Sequence, residues 1–231
     1  MVKFGLTWPV LTVTSAAMGR KAKPGSDEGL KSIILAARRA FAAHGYDGAS
    51  LRQISAEAGV LHTAMLYHFP NKDALWKAAM ADMFDALEAR FTARTTAHSG
   101  AHPASDLRDL ARALVREFVM FCSECPELHR IMTSEGRSET DRLSWLVDTY
   151  SKRLFQSAAA LAPSANPVLS DPIRLYYAII GLSASVFTLA PEYRRLSGKN
   201  PFGASELAAT ADIVEAIVFG SAKGCATNDH A

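Results

Sequence analysis

Apolar residues recur every three or four positions along most of this chain, the period of a helix with one buried face. Stripes of this kind run through residues 26–44, 72–94, 105–121, 126–135, 139–161, 171–187 and 205–219. No segment reads convincingly as a strand. The predicted fold class is therefore all-α.

Residues 50–69 (SLRQISAEAGVLHTAMLYHF) predict two short helices joined by a tight turn. Ser50 and Gln53 have the spacing of a capping box, which marks a helix start. Gly59 stands where the first helix must end, because glycine reaches positive φ with little strain. Two such helices form a helix-turn-helix, whose second helix enters the DNA major groove. The outward side of that second helix would carry three side chains: Thr63, Leu66 and Tyr67.

This stretch and its flanks, residues 33–89, closely resemble the DNA-binding domain of the TetR family of transcriptional regulators. Three segments carry the resemblance: AFAAHGY at 40–46, LRQISAEAGV at 51–60 and YHFPNKDAL at 67–75. The resemblance implies an N-terminal three-helix DNA-binding domain, joined by a long helix to a larger helical domain for ligand binding and dimerisation. We expect a flexible extension at 1–25, the helix-turn-helix domain at 26–72, closed by the helix at 72–94, and the second domain at 95–225.

The resemblance also implies a homodimer. Residues 190–201 look like a C-terminal segment of many TetR-like regulators, where it follows the first of two helices that pair with their symmetry mates. By that comparison, the helices beginning near Asp171 and Ser205 form the dimer interface. Both helices carry more apolar surface than one small domain is expected to cover.

Carried over by position, the family pattern assigns the expected DNA contacts to Arg52, His62, Thr63, Tyr67, His68 and Lys72. Packing within the domain is the alternative role for Tyr67 and His68. The chain departs from the usual pattern at Leu61 and Leu66, where many members have polar residues. These leucines could pack on thymine methyl groups, or they could mean that DNA affinity is modest.

The family's other hallmark is an effector pocket among the middle helices. An apolar pocket could be lined by Phe118, Cys122, Met132, Trp145, Tyr176 and Tyr177, although each fits a plain core position equally well. Cys122, Cys125 and His129 also form a ligand-like set that could sense a metal or a thiol oxidant. Without a second C-x-x-C pair, packing is the favoured role, and we predict no metal and no cofactor.

Composition adds limits to this assignment. The 231 residues are 49% hydrophobic and 21% charged, which is typical of a globular protein. A net charge of +2 does not by itself indicate nucleic-acid binding, so any basic surface must be local. Three cysteines do not suggest a disulfide framework. Residues 1–17 resemble a signal peptide only loosely, Met18 is a possible start, and residues 19–25 form a basic arm that is either a solvated tail or a phosphate contact.

Together these features predict a cytoplasmic, homodimeric transcriptional regulator, a ligand-responsive repressor that binds a near-palindromic operator. The alternative is a helical dimer that senses a ligand, a thiol oxidant or a metal and has weak or lost operator binding. We find no nucleophile–base pair, phosphate-binding glycine loop or pair of acids at a defined helical spacing that would indicate an enzyme.

Overall fold

A computed structural model of the chain describes residues 24–98, 105–162 and 165–220. Every regular element in those ranges is helical, which confirms the predicted all-α class. The signal-like segment, Met18, most of the basic arm and most of the predicted linker at 98–103 lie outside the described residues. The α-helices are α1 (Pro24–Gly48), α2 (Leu51–Glu57), α3 (His62–His68), α4 (Lys72–His98), α5 (Ser105–Glu124), α6 (Pro126–Glu135), α7 (Asp141–Leu146), α8 (Lys152–Leu161), α9 (Pro172–Thr188), α10 (Ala190–Ser197) and α11 (Ala204–Phe219).

The helix α1 begins two residues before the predicted start at Ser26 and is interrupted where predicted, at Gly45. Gly45 has φ 67° and ψ 179°, a conformation that strains any residue with a side chain. The chain after the break directs the ring of Tyr46 back onto the domain. That ring stacks on Phe41 at 6.1 Å and meets the edge of Trp76 at 6.2 Å, measured between ring centroids.

The long helix α4 starts as predicted, with the Asn71 side chain accepting a hydrogen bond from the amide of Ala74 at 2.8 Å. It continues to His98, four residues beyond the predicted end at 94. In this last part, the hydroxyl of Thr95 donates to the carbonyl oxygen of Phe91 one turn earlier, so the hydroxyl is satisfied within the helix. The fully buried stripe of α4 includes Trp76, Met80, Met83 and Leu87.

One hydrophobic core crosses the boundary between the two predicted domains. The buried residues of α1 to α4 form a single cluster with Phe121, Leu128, Ile131 and Leu146, which belong to α5, α6 and α7. The prediction that α4 bridges the small domain and the following helices is therefore confirmed. A second cluster joins α5, α9 and α11.

The buried side of α5 differs from the predicted one. The sequence pattern predicts a buried side at Leu107, Leu110, Leu114, Phe118 and Phe121. Of these, Phe121 is buried, and the other four are only partly buried. Smaller residues are buried instead at Ala111, Val115 and Val119. The reason is that α5 packs against α4, α9 and α11 on different sides, so no single stripe defines its buried surface.

Two other segments also differ from their predicted form. The helix expected over 139–161 begins at Asp141, where Thr140 caps it, and a π-helical turn at Val147–Ser151 separates α7 from α8. The short helix α10 was not predicted, and it ends at Gly198 with φ 71°. Asp171 directly before Pro172 predicts the N-cap of α9. This is confirmed, because the Asp171 carboxylate accepts a hydrogen bond from the amide of Ile173 at 3.0 Å.

Within the described ranges, no single helix is long and apolar enough to cross a membrane. Taken together, α9 and α10 have the length and composition, but the two helices meet at a bend of 72°.

Candidate nucleic-acid interface and internal cavities

The helices α2 and α3 are joined by a tight turn at Gly59, the residue predicted for this turn. Gly59 has φ 69°, and on either side of it Ile54 and Met65 are fully buried. These two side chains fix both helices on the core. Ser50 occupies the N-cap of α2, but its side chain makes no capping hydrogen bond. The predicted capping box of Ser50 and Gln53 is therefore wrong, and burial of Ile54 holds this short helix in place.

The outer side of α3 is apolar and aromatic as well as polar. Tyr67 is 79% exposed and Leu61, the residue before α3, is 77% exposed. Thr63 is exposed, whereas Leu66 is only half-exposed. Of the three side chains predicted to point outward, Thr63 and Tyr67 are exposed and Leu66 is partly buried. The exposed ring of His68 meets the edge of the Tyr67 ring at 5.4 Å.

The remaining predicted DNA contacts differ in their exposure and in the contacts that they make within the domain. Arg52 lies exposed at the start of α2. His62 is partly buried, with Nδ1 3.4 Å from the Ser55 hydroxyl. Lys72 is held at the start of α4, where its Nζ donates to the carbonyl oxygen of Asp47 at 3.0 Å and lies 4.8 Å from the centroid of the Tyr46 ring.

Two adjoining cavities lie among the middle helices. The first, of about 100 Å³, lies between α4, α5, α8 and α9. The second, of about 70 Å³, lies between α4, α5, α6, α8 and α9. Their walls share Phe118, Leu154, Tyr176 and Ile180. Four side chains thus separate two spaces that would otherwise be one.

Four of the six residues predicted for a pocket line these cavities. They are Phe118, Cys122, Met132 and Tyr176. Tyr177 is 65% exposed on a different side of α9 from Tyr176. Trp145 packs instead between Trp76, at 5.7 Å, and Tyr150, at 5.6 Å between centroids. Neither residue is among those that line the two cavities.

The C-x-x-C pair lies in this wall as two buried free thiols. Burial raises the pKa of Cys125 to about 11 and raises that of Cys122 further, so both stay protonated and weakly reactive at neutral pH. The Sγ of Cys125 accepts a hydrogen bond from Arg38 at 3.0 Å. Among the described residues, no group of three or more histidine, cysteine or acidic side chains is arranged to hold a metal ion.

The helix-turn-helix lies within a segment that matches a known protein family. Residues 33–79, which span most of α1 through the first turns of α4, match the family described as bacterial regulatory proteins, tetR family. The helix-turn-helix of this chain is therefore of the TetR type. The match covers the glycine turn, the exposed side of α3 and the capped start of α4 together.

Relatives extend the similarity beyond the helix-turn-helix. The HTH-type transcriptional regulator RutR of Escherichia coli strain K12 is 27% identical over 176 residues, covering 73% of this chain and 78% of RutR. The HTH-type transcriptional repressor AcnR of Corynebacterium diphtheriae is 34% identical over 70 residues, covering 30% of this chain and 32% of AcnR.

Solved structures share the fold. AibR, crystallised with isovaleryl coenzyme A and operator DNA, superposes with a TM-score of 0.63 at 18% identity, covering 83% of this chain and 98% of that one. A TetR-like regulator from Rhodococcus sp. RHA1 gives a TM-score of 0.56 at 16% identity, covering 86% and 96%.

The TetR-type helix-turn-helix domain is tied to the cavity helices by contacts of two arginines. Arg38 of α1 lies 3.2 Å from Asp82 of α4 and 3.7 Å from Glu127 of α6. Arg142 of α7 places its guanidinium 3.8 Å from the centroid of the Tyr46 ring.

The second contact is completed by a buried acid. Arg142 donates to Glu135 at 3.0 Å, and Glu135 is 5% exposed at the end of α6. No local sequence pattern indicates a role for Arg38, Glu135 or Arg142, because a single charged residue on a helix is ordinarily solvated. A partner 87 positions away, as for Arg38 and Cys125, cannot be seen in local spacing.

Proposed function

We propose that this chain is a dimeric, DNA-binding transcriptional repressor of the TetR family, acting in the cytoplasm, whose operator affinity changes when a small molecule binds among α4, α5, α6, α8 and α9. The observation that carries the proposal is the exposed α3 side on a helix-turn-helix that shares one core with the helices around the cavities. We retain the division into a DNA-binding part at 26–72 and a second part at 95–225, with α4 common to both.

The DNA contacts we propose fall into two groups. Thr63, Tyr67 and the apolar Leu61 would reach base edges, because they are exposed on or just before the second helix of the motif. Arg52, His62, His68 and Lys72 would contact phosphates and set the position of that helix. Lys72 already lies beside the N-terminus of α4, where an anion is stabilised by the helix dipole.

The dimer interface we propose uses the outer sides of α9 and α11. Exposed apolar residues follow each other at intervals of four, at Ile173 (46%) and Tyr177 (65%) on α9 and at Ile213 (57%) and Ile217 (43%) on α11. Such a continuous apolar side is expected to be covered by a second copy through four-helix packing. Ile213→Glu should give a monomer in sedimentation, whereas Leu61→Glu at the other end of the molecule should remain a dimer.

The response to ligand would pass through α6. One side of this helix lines the cavity at Leu128, His129 and Met132. Its ends hold the contacts of Glu127 and Glu135 with α1 and α7. A ligand that binds more tightly to one position of α6 would shift the position of α1, and with it the spacing of the two recognition helices. The long helix α4 would transmit the same shift through the shared core.

Fluorescence anisotropy with DNA from the chain's own promoter region tests the DNA-binding role. The wild type should bind with an affinity that falls as salt rises, because phosphate contacts release counterions. Tyr67→Ala should weaken binding at least tenfold. Leu196→Ala removes a side chain of similar exposure, 83%, far along the chain and should bind as the wild type does. Absence of salt-sensitive binding would refute the proposal.

A further inference from the structure

The walls of the two cavities limit the chemistry of their occupant. No lysine, arginine, aspartate or glutamate lines either cavity. A charged group seated against this lining would lose hydration there and gain no countercharge, which is unfavourable. The nearby cations are already paired: Arg153 lies 2.7 Å from Glu88, and Arg90 lies 3.3 Å from Glu117.

The hydroxyls of Thr95 and Ser157, which line the first cavity, already donate hydrogen bonds within the protein. Thr95 donates to the carbonyl oxygen of Phe91 at 3.0 Å, and Ser157 donates to that of Arg153 at 3.0 Å. Both bonds close within the helix that carries the hydroxyl. The first cavity therefore presents an almost wholly apolar lining to its occupant.

Besides its two thiols, the second cavity is lined by three polar side chains: the hydroxyls of Ser151 and Tyr176, which hydrogen-bond to each other, and the ring of His129. The Nδ1 of His129 lies 3.0 Å from the hydroxyl of Thr188, and within the described part of the chain its Nε2 makes no hydrogen bond. Burial lowers the pKa of His129 from 6.5, so the ring is neutral at neutral pH. A neutral imidazole can donate to a carbonyl oxygen or accept from a hydroxyl, according to its tautomer.

The volume of the cavities limits the size of the ligand. A dry apolar cavity of about 150 Å³ is known to hold benzene. Each cavity alone is smaller than that, at about 100 and 70 Å³, but the two together reach it. They would join if the shared side chains Phe118 and Tyr176 changed rotamer.

We propose that the joined cavity binds an uncharged, mainly apolar molecule about the size of a substituted benzene ring, with a single hydroxyl or carbonyl oxygen directed to Nε2 of His129. This ligand class rests on the proposed role as a ligand-responsive regulator. It excludes carboxylates, amines and coenzyme A esters, whose charges would have no partner in this lining.

Three probes of matched size test the class: benzyl alcohol, benzoate and toluene. Dissociation constants are measured by calorimetry on the full chain at pH 7.5 without DNA. Benzyl alcohol should bind at least tenfold more tightly than benzoate, and more tightly than toluene. Tighter or equal binding of benzoate, or no binding of benzyl alcohol at millimolar concentration, would overturn the proposal.

Variants test the polar contact. His129→Leu should retain toluene binding and lose the preference for benzyl alcohol, while His129→Gln should keep part of that preference. His44→Leu removes an exposed histidine of α1 and should leave all three affinities unchanged. If His129→Leu keeps the preference, the assignment of His129 is wrong.

The DNA experiment separates this inference from the proposed function. If benzyl alcohol does not bind while the promoter DNA does, only the ligand class is refuted. If benzyl alcohol binds while no DNA is bound, the cavity chemistry stands and the regulatory role fails.

Discussion

The contact of Arg142 with Glu135 and Tyr46 is expected to contribute a large share of the stability that links the helix-turn-helix to the rest of the chain. The substitution that tests it is Arg142→Met. Methionine keeps a long apolar side chain beside the Tyr46 ring, where a sulfur–aromatic contact can replace the cation–π contact. The principal effect is therefore on Glu135, which is left as a buried carboxylate without its partner.

The magnitude follows from burial. Removing one member of a fully buried ion pair costs about 3–5 kcal/mol. The Glu135 side chain is 4% exposed, but the Arg142 side chain is 22% exposed and partly solvated. We therefore expect a loss of about 2–3 kcal/mol, below the fully buried range. At about 2–4 °C per kcal/mol for a chain of this size, Tm should fall by about 4–12 °C.

Urea unfolding followed by circular dichroism measures the loss, at one fixed protein concentration because a dimer's stability depends on it. The control Arg137→Met removes an exposed arginine near the same helix end and should change the free energy of unfolding by less than about 0.5 kcal/mol. The double variant Glu135→Leu/Arg142→Met removes both charges and should recover most of the loss. A single-variant loss below about 1 kcal/mol, or additive effects in the double variant, would contradict the reasoning.

Three further predictions concern single positions. Leu61→Ala should weaken operator binding by about 1 kcal/mol through lost apolar contact, and replacing thymine with uracil in the operator should remove the difference between variant and wild type; a persistent difference would exclude contact with thymine methyl groups. Gly59→Ala should lower the free energy of unfolding by about 1 kcal/mol, because φ is 69° there, although the added methyl group meets no atom within 4 Å; an unchanged Tm would contradict this. Burial lowers the pKa of His129, so as pH falls the unfolded chain binds a proton before the folded chain does, and stability should decline below pH 6.5. His129→Gln should flatten this decline between pH 7.5 and 5.5 in urea titrations, whereas His44→Gln should not.

The parts of this fold that the sequence predicts well are those fixed by local stereochemistry. Gly59 lies at a turn that needs positive φ, which glycine adopts with the least strain. Asn71 and Asp171 cap their helices through hydrogen bonds to amides no more than three residues away. The one local rule that failed concerns Ser50. Its position was right, but the core contact of Ile54 suffices to hold a helix of two turns.

The residues that line the cavities were harder to predict, because an apolar helix has several sides with similar residues. Tyr176 and Tyr177 are adjacent in sequence and point about 100° apart on a helix, so only one can line the cavity. The π-helical turn at Val147–Ser151 rotates the following residues relative to a regular helix, and the cavity-lining residues Leu154, Ser157 and Ala158, which the sequence did not indicate, come after it. Trp145 lies before that turn and belongs to the interface with Trp76, a contact between residues far apart in the chain.

The single core that runs from α1 through α4 to α7 has a consequence for engineering. Hybrid regulators are made by joining the DNA-reading part of one protein to the sensing part of another. In this chain, such a cut after α4 would separate Phe41 and Trp76 from Ile131 and Leu146 and expose apolar surface on both pieces. A working hybrid would have to carry α6 and α7 along with the DNA-reading part, or rebuild their contact surface. The portable unit here is larger than the helix-turn-helix.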